Sequence, residues 1–149
     1  MFKRFSRTLG AAPTTSAHIG YTTTIFTTGT VVGQGSTTVN MVSPLTIPAT
    51  GTWIINYVLR LNISSSGTAT MTKLQTWMST GGNIYGLTCN AASQSLSVSV
   101  ETAQNGSFVL SLANGTSFSL NIDATYTLLT GGPVGTANTV SYVQFTRIG

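Results

Sequence analysis

Two carboxylates, one imidazole and one thiol are all that this 149-residue chain offers for acid–base, metal or nucleophilic chemistry: Glu101, Asp123, His18 and Cys89. A glycoside hydrolase needs two carboxylates held a fixed distance apart. Glu101 and Asp123 fall on the polar faces of separate strand-like runs, where a role in solubility is the simpler reading. Ser and Thr hydroxyls abound, but a hydrolytic triad also needs a base and an acid to orient it, and His18 has no acid near it in sequence. A single cysteine excludes an internal disulfide and a Cys-based zinc site, so Cys89 reads as a small buried hydrophobe. These few donors cannot build a standard metal cage without backbone or symmetry-related ligands. Gly33-Gln-Gly35 lacks both the motif and the following helix of a phosphate loop. The expectation is a non-enzymatic protein with no catalytic residue, cofactor, metal or small-molecule substrate.

The charges are as unevenly placed as they are few. Of six Lys and Arg residues, three stand at Lys3, Arg4 and Arg7, and only two acidic side chains balance the whole chain. Residues 1–18 therefore read as an arm, first basic and aromatic (Phe2, Lys3, Arg4, Phe5, Arg7), then small and flexible. Such an arm could meet nucleic acid, an acidic membrane leaflet or an acidic groove on a protein. Three cations are a small footprint for nucleic acid, and marginal for a membrane at about 1 kcal/mol per basic residue. Interleaved Phe2 and Phe5 supply apolar anchors, so docking onto a partner protein fits best.

The remainder, 19–149, has the length and apolar content for one domain with a real core. Its richness in Ser, Thr, Gly and Asn does not signal disorder, because aromatic and β-branched residues are frequent and net charge is low. A surface of hydroxyls and amides gives little charge repulsion, which makes permanent assembly the natural state. No apolar h-region follows the basic tip, so no signal peptide is expected. The sequons at Asn62, Asn105 and Asn114 are then chance occurrences in an Asn-, Ser- and Thr-rich chain.

Elements alternate with period two and are punctuated by turns every 8–12 residues or so, the pattern of a sandwich or jelly roll. The clearest strand places Trp53, Ile55, Tyr57, Leu59, Leu61 and Ile63 on one face and Asn56, Arg60 and Asn62 on the other. Thr70, Thr72, Leu74, Thr76 and Met78 alternate with Met71, Lys73, Gln75 and Trp77. Gly81-Gly82-Asn83 reads as a turn. Asn105-Gly106 and Asn114-Gly115 read as hairpin turns, and Gly131-Gly132-Pro133 opens a loop. The reading is all-β: a single antiparallel β-sandwich or jelly roll of about eight to ten strands with an extended N-terminal arm. Most aromatics at these positions fill a core. Trp77 and Tyr85, flanking the glycine turn, are the candidates for contact with a ligand.

The segment 45–57, with Pro48, Gly51 and Trp53 leading into an apolar strand, resembles the corresponding passage of compact trimeric jelly-roll heads. These are the tumour-necrosis-factor-like and complement-head-like modules, found also in viral fibre tips and small capsid components of large DNA viruses. The closing run Ser141-Tyr142-Val143-Gln144-Phe145-Thr146-Arg147-Ile148-Gly149 looks like their terminal strand. The resemblance implies fold more than role. In such heads the last strand often lies near the threefold axis, which implies trimer contacts at Tyr142, Phe145 and Ile148.

Together these readings predict a virion structural protein: a minor capsid, cement or spike subunit, oligomeric and trimeric by resemblance, anchored by its arm to other capsid proteins. It would be made in the host cytoplasm and located in the virion. The alternative is a receptor- or glycan-binding head of a viral fibre, suggested by loops rich in Asn, Ser, Thr, Tyr and Trp.

Overall fold

The computed structural model describes residues 15–16, 18–26, 29–32, 35–38, 45–65, 69–90, 93–96, 100–127, 133–137 and 141–149, with 29–32, 35–38, 65, 94 and 133–137 described by backbone alone. The arm residues Phe2, Lys3, Arg4, Phe5 and Arg7 lie outside this set. Twelve strand segments are described and no helix. They are β1 (Thr22–Phe26), β2 (Gly29–Val32), β3 (Gly35–Thr38), β4 (Leu45–Thr46), β5 (Gly51–Ser65), β6 (Thr70–Thr80), β7 (Asn83–Asn90), β8 (Gln94–Ser95), β9 (Val100–Leu112), β10 (Ser117–Thr127), β11 (Pro133–Ala137) and β12 (Tyr142–Arg147). The all-β, antiparallel class is as expected, but the count of eight to ten strands is not; β4 and β8 are two-residue pairings.

Two antiparallel sheets divide these strands. In the first, the 15-residue β5 is central: β9 lies along one side, and β12 then β11 share the other, with β1 beyond β12 and β2 beyond β11. In the second, the order is β3-β10-β6-β7, with β4 on β10 and β8 on β6. The chain changes sheet from β5 to β6, β7 to β9, β9 to β10 and β10 to β12, while β6 and β7 form a hairpin within one sheet. This is the winding of a jelly roll. Gly81 and Gly82 close that hairpin with φ of +54° and +82°, values that favour glycine.

The core lies between the sheets. Trp53, Ile55, Tyr57, Leu59, Leu61 and Ile63 are all buried, the face that the period-two reading selects. Facing them are Met71, Leu74, Thr76 and Met78 of β6 and Phe118, Leu120, Ile122, Ala124 and Tyr126 of β10. The alternation in β6 breaks once. Thr125 pairs with Lys73 but Tyr126 pairs with Met71, so Thr72 is an extra residue, and the bulge returns Met71 to the interior. Strict alternation would set Thr72 on the face of Leu74 and Met78 and Met71 on the other; Thr72 instead bonds the Thr125 carbonyl at 3.2 Å.

Three turn expectations are corrected. Asn105-Gly106 is no turn, because β9 runs through it, with Gly106 opposite Tyr57. A Cβ on Gly106 would overlap the Tyr57 ring and stand 2.5 Å from the Gly86 carbonyl oxygen, so this glycine serves a close approach within a strand. Asn114-Gly115 does turn, with φ of +82° at Gly115, but it joins β9 to β10 in the other sheet instead of forming a hairpin. Pro133, expected in a loop, begins β11, a first-residue position at which proline is tolerated.

Beneath Gly106 a polar cluster ties the sheets together. The Tyr57 hydroxyl lies 2.5 Å from the Gly86 carbonyl and 3.0 Å from that of Thr76. Thr76 and Thr88 hydroxyls are 2.8 Å apart, and Thr88 donates to Gln104 Oε1 at 3.0 Å. Buried hydroxyls of β5, β6 and β7 and the Gln104 amide of β9 thus satisfy one another, as interior polar groups must.

Candidate functional site

Outward-facing residues of the first sheet follow from its register. Phe26, Tyr142, Val58 and Asn105 form one row across β1, β12, β5 and β9. Thr24, Gln144, Asn56 and Ser107 form the next, and Thr22, Thr146, Ile54 and Val109 a third. Cross-strand bonds hold these rows: Gln144 Nε2 to Thr24 Oγ1 at 3.3 Å, Ser107 Oγ to Asn56 Oδ1 at 2.6 Å, and the hydroxyls of Thr22 and Thr146 at 3.0 Å. Phe26 is 54% exposed and Val109 53%. The face carries apolar residues at two levels, amides and hydroxyls between them, and no charge across its three rows.

Charge enters only past the Val58 row, where Arg60 stands opposite Ala103 and Glu101 opposite Asn62. Both side chains are exposed and line a shallow cleft with Leu61, Thr102 and Ala103. Neither forms an ion pair with a described residue. The salt bridge among the described residues is Lys73–Asp123, at 3.5 Å, on the other sheet. Each sign of charge is therefore presented once at this end of the face.

The three residues expected at a subunit contact separate in space. Tyr142 is half-buried within the first outward row, and Ile148 is exposed beyond β12, its N–H bonded to the Thr52 carbonyl at 2.8 Å. Phe145 points the other way: it is fully buried and packs 6.4 Å from the Phe118 ring. It is a core residue and cannot touch a neighbouring copy. Alternation along β12 requires this, since Val143 and Phe145 share one face and Tyr142, Gln144 and Thr146 the other. Ile54 and Val58, apolar on the otherwise polar side of their strand and therefore expected at a more central position or a subunit contact, both stand in these rows, whereas Phe26 and Val109 were missed as surface candidates.

Trp77 and Tyr85 also part company. Trp77 lies between the buried Thr76 and Met78, so its ring is on the outer face of the second sheet, half-buried. Tyr85 faces inward, stacked on Phe108 with centroids 5.4 Å apart and edge-on to Phe118 at 6.4 Å. Tyr85 is core packing and offers no ring to a ligand beside Trp77.

The titratable residues are dispersed. Glu101 is in the first sheet and Asp123 in the second, on opposite outer faces. His18 is exposed, its Nδ1 2.5 Å from the Thr15 hydroxyl. Cys89, expected to be buried, is exposed on β7, because Thr88 takes the inward position. Ser16 and Gly20 are tied to the roll: Arg147 donates to the Ser16 carbonyl at 3.3 Å, and Gly20 N–H to the Arg147 carbonyl at 2.8 Å.

Against solved structures, the chain is similar to the Eiger tumour necrosis factor from S. frugiperda, with a TM-score of 0.50 and 9% identity over 86% of this chain and 92% of that one. The likeness is one of fold: a jelly roll. Weaker likenesses include murine APRIL (TM-score 0.49, 9% identity, 85% of this chain and 98% of that one). Another is the infectious bursal disease virus VP2 subviral particle (TM-score 0.42, 15% identity, 87% of this chain and 37% of that one). No protein-family model matches the chain, and no curated protein does.

Proposed function

We propose that this protein is a non-enzymatic structural subunit of a virion that self-associates, as a trimer, through the outer face of its first sheet. The observation that carries this reading is that face: Phe26, Tyr142, Val58, Ile54 and Val109 set among bonded amides and hydroxyls. Interface cores are depleted in charge and rich in aromatic and aliphatic groups, with a polar rim. A second copy of the chain is the fitting occupant. It brings an equally uncharged surface, and Arg60 of one copy can meet Glu101 of another, each otherwise facing water. The three-copy arrangement rests on the resemblance to trimeric heads. The virion role rests on the sparse charge, which suits a permanently assembled coat, and on the basic-aromatic arm as an anchor to other capsid proteins.

Light scattering on the full chain tests the association. A trimer mass that falls to the monomer in Ile54→Asp and Val109→Asp, with melting unchanged, is the expected result. A monomeric wild-type chain would overturn it. The anchoring is tested by removing residues 1–10: the truncated chain should keep its fold and mass but fail to enter particles, and normal incorporation would sink the docking role.

A further inference from the structure

The geometry points to a neutral-oligosaccharide platform on the outer face of the second sheet, centred on the Trp77 indole. This site is independent of the self-association surface and lies on the opposite side of the sandwich, so it stays open when the first sheet is covered. Trp77 and Trp53 are the chain's two tryptophans, and they are used differently. Trp53 is fully buried, its indole N–H donating to the Ala49 carbonyl at 3.1 Å. Trp77 is half-buried on the outer face and makes no hydrogen bond with the described residues, so the part of its ring that reaches the surface is open to an incoming group.

The surroundings define the ligand's chemistry. Gln75 and Ser79 lie two residues to either side on the same face of β6, and Asn121 is directly across on β10. Asn121 Nδ2 bonds Ser79 Oγ at 2.9 Å and the Ser119 carbonyl at 3.1 Å, so this amide is fixed before any ligand arrives. On the far side β7 bulges: Thr88 pairs with Thr76 and Tyr85 with Met78, leaving Gly86 and Leu87 opposite Trp77. Gly86 adopts φ of +60°, and Leu87, 56% exposed, continues the apolar surface. The hairpin end at Gly81 and Gly82 has no side chain to overhang the ring.

An aromatic plane takes the apolar C–H face of a sugar ring, and primary amides and hydroxyls match sugar hydroxyls as both donors and acceptors. Among the described residues, those beside Trp77 on its face, Gln75, Ser79 and Asn121, are uncharged. The nearest charges, Lys73 and Asp123, neutralise each other at 3.5 Å. A charged ligand finds no counter-charge there, whereas an uncharged saccharide needs none. Preorganised polar contacts around a rigid aromatic also lower the ordering cost of binding.

Titration of the full chain with maltotriose, chitotriose, lactose and mannobiose, followed by tryptophan fluorescence, tests the site. At least one of these probes should give a saturable change that is lost in Trp77→Ala, retained in part in Trp77→Tyr, and weakened several-fold in Gln75→Ala and Asn121→Ala. Melting curves should show the variants folded, and Gln75→Ala alone suffices if Asn121→Ala is not. Absence of any saturable change up to about 10 mM would overturn the proposal, since a useful single-site contact is tighter than that. A Trp77→Ala variant that loses assembly mass instead of sugar binding would overturn it too, because the ring would then be a protein contact.

Discussion

Substitution Gly106→Ala separates a glycine needed for a turn from one needed for close packing. At an ordinary strand position the exchange is neutral to stabilising, and at a turn with positive φ it costs about 1–2 kcal/mol. Here the added methyl would overlap the Tyr57 ring and lie 2.5 Å from the Gly86 carbonyl. Neither neighbour can yield alone, because the Tyr57 hydroxyl is held at 2.5 Å from that same carbonyl. Either β7 or β9 must move, which disrupts the Tyr57–Gly86 bond and the Thr88–Gln104 bond at 3.0 Å. Overpacking costs about 1–3 kcal/mol, and each lost bond adds about 1 kcal/mol. The sum is about 3–5 kcal/mol, which at about 2–4 °C per kcal/mol for a chain of this size lowers Tm by roughly 6–20 °C. Urea denaturation followed by far-ultraviolet circular dichroism measures it, with Ser119→Ala, exposed on β10 and outside the self-association face, as the control within about 0.5 kcal/mol. A Gly106→Ala loss below about 1 kcal/mol would refute the packing argument.

Other expectations follow from the same contacts. Arg60→Glu or Glu101→Arg alone should weaken self-association severalfold, and the double exchange should restore it. Close interfacial charge pairs couple by about 1.5 kcal/mol or more, read as sedimentation or light-scattering mass against concentration. Tyr57→Phe removes the hydroxyl from the Gly86 and Thr76 carbonyls and should destabilise the fold by about 1–3 kcal/mol without changing its core volume, as equilibrium urea unfolding would show. Burial raises the Tyr126 phenol above its ordinary value. Its folded-state pKa therefore exceeds the unfolded one, so this contribution to stability is intact below about pH 10 and is lost as pH rises through the folded value. Tyrosinate absorbance should accordingly show one phenol ionising late, together with unfolding.

Local alternation was enough to define the all-β class, the inward face of β5 and the inward residues of β10. Burial in a two-layer sandwich imposes period two directly on the sequence. The jelly-roll winding was legible only through short resemblances, because strand pairing is set by contacts far apart along the chain. Asn105-Gly106 shows the limit most plainly. The dipeptide carries the strongest short-range hairpin signal, yet Tyr57, nearly fifty residues earlier, claims its glycine for packing. Phe145 and Tyr85 went astray for a related reason: aromatic residues suit a core and an interface equally, and only the direction of each strand's face decides between them. The bulge in β6 returned Met71 to the core, one residue off the expected alternation, while the bulge in β7 left Gly86 and Leu87 opposite Trp77. The scarcity of ionisable groups needed no structure to be seen. Which apolar residues gather on one outer face, and that Arg60 and Glu101 sit together at its end, depended on the register of β1, β12, β5 and β9, because neighbours across a sheet are chosen by tertiary pairing and not by sequence distance.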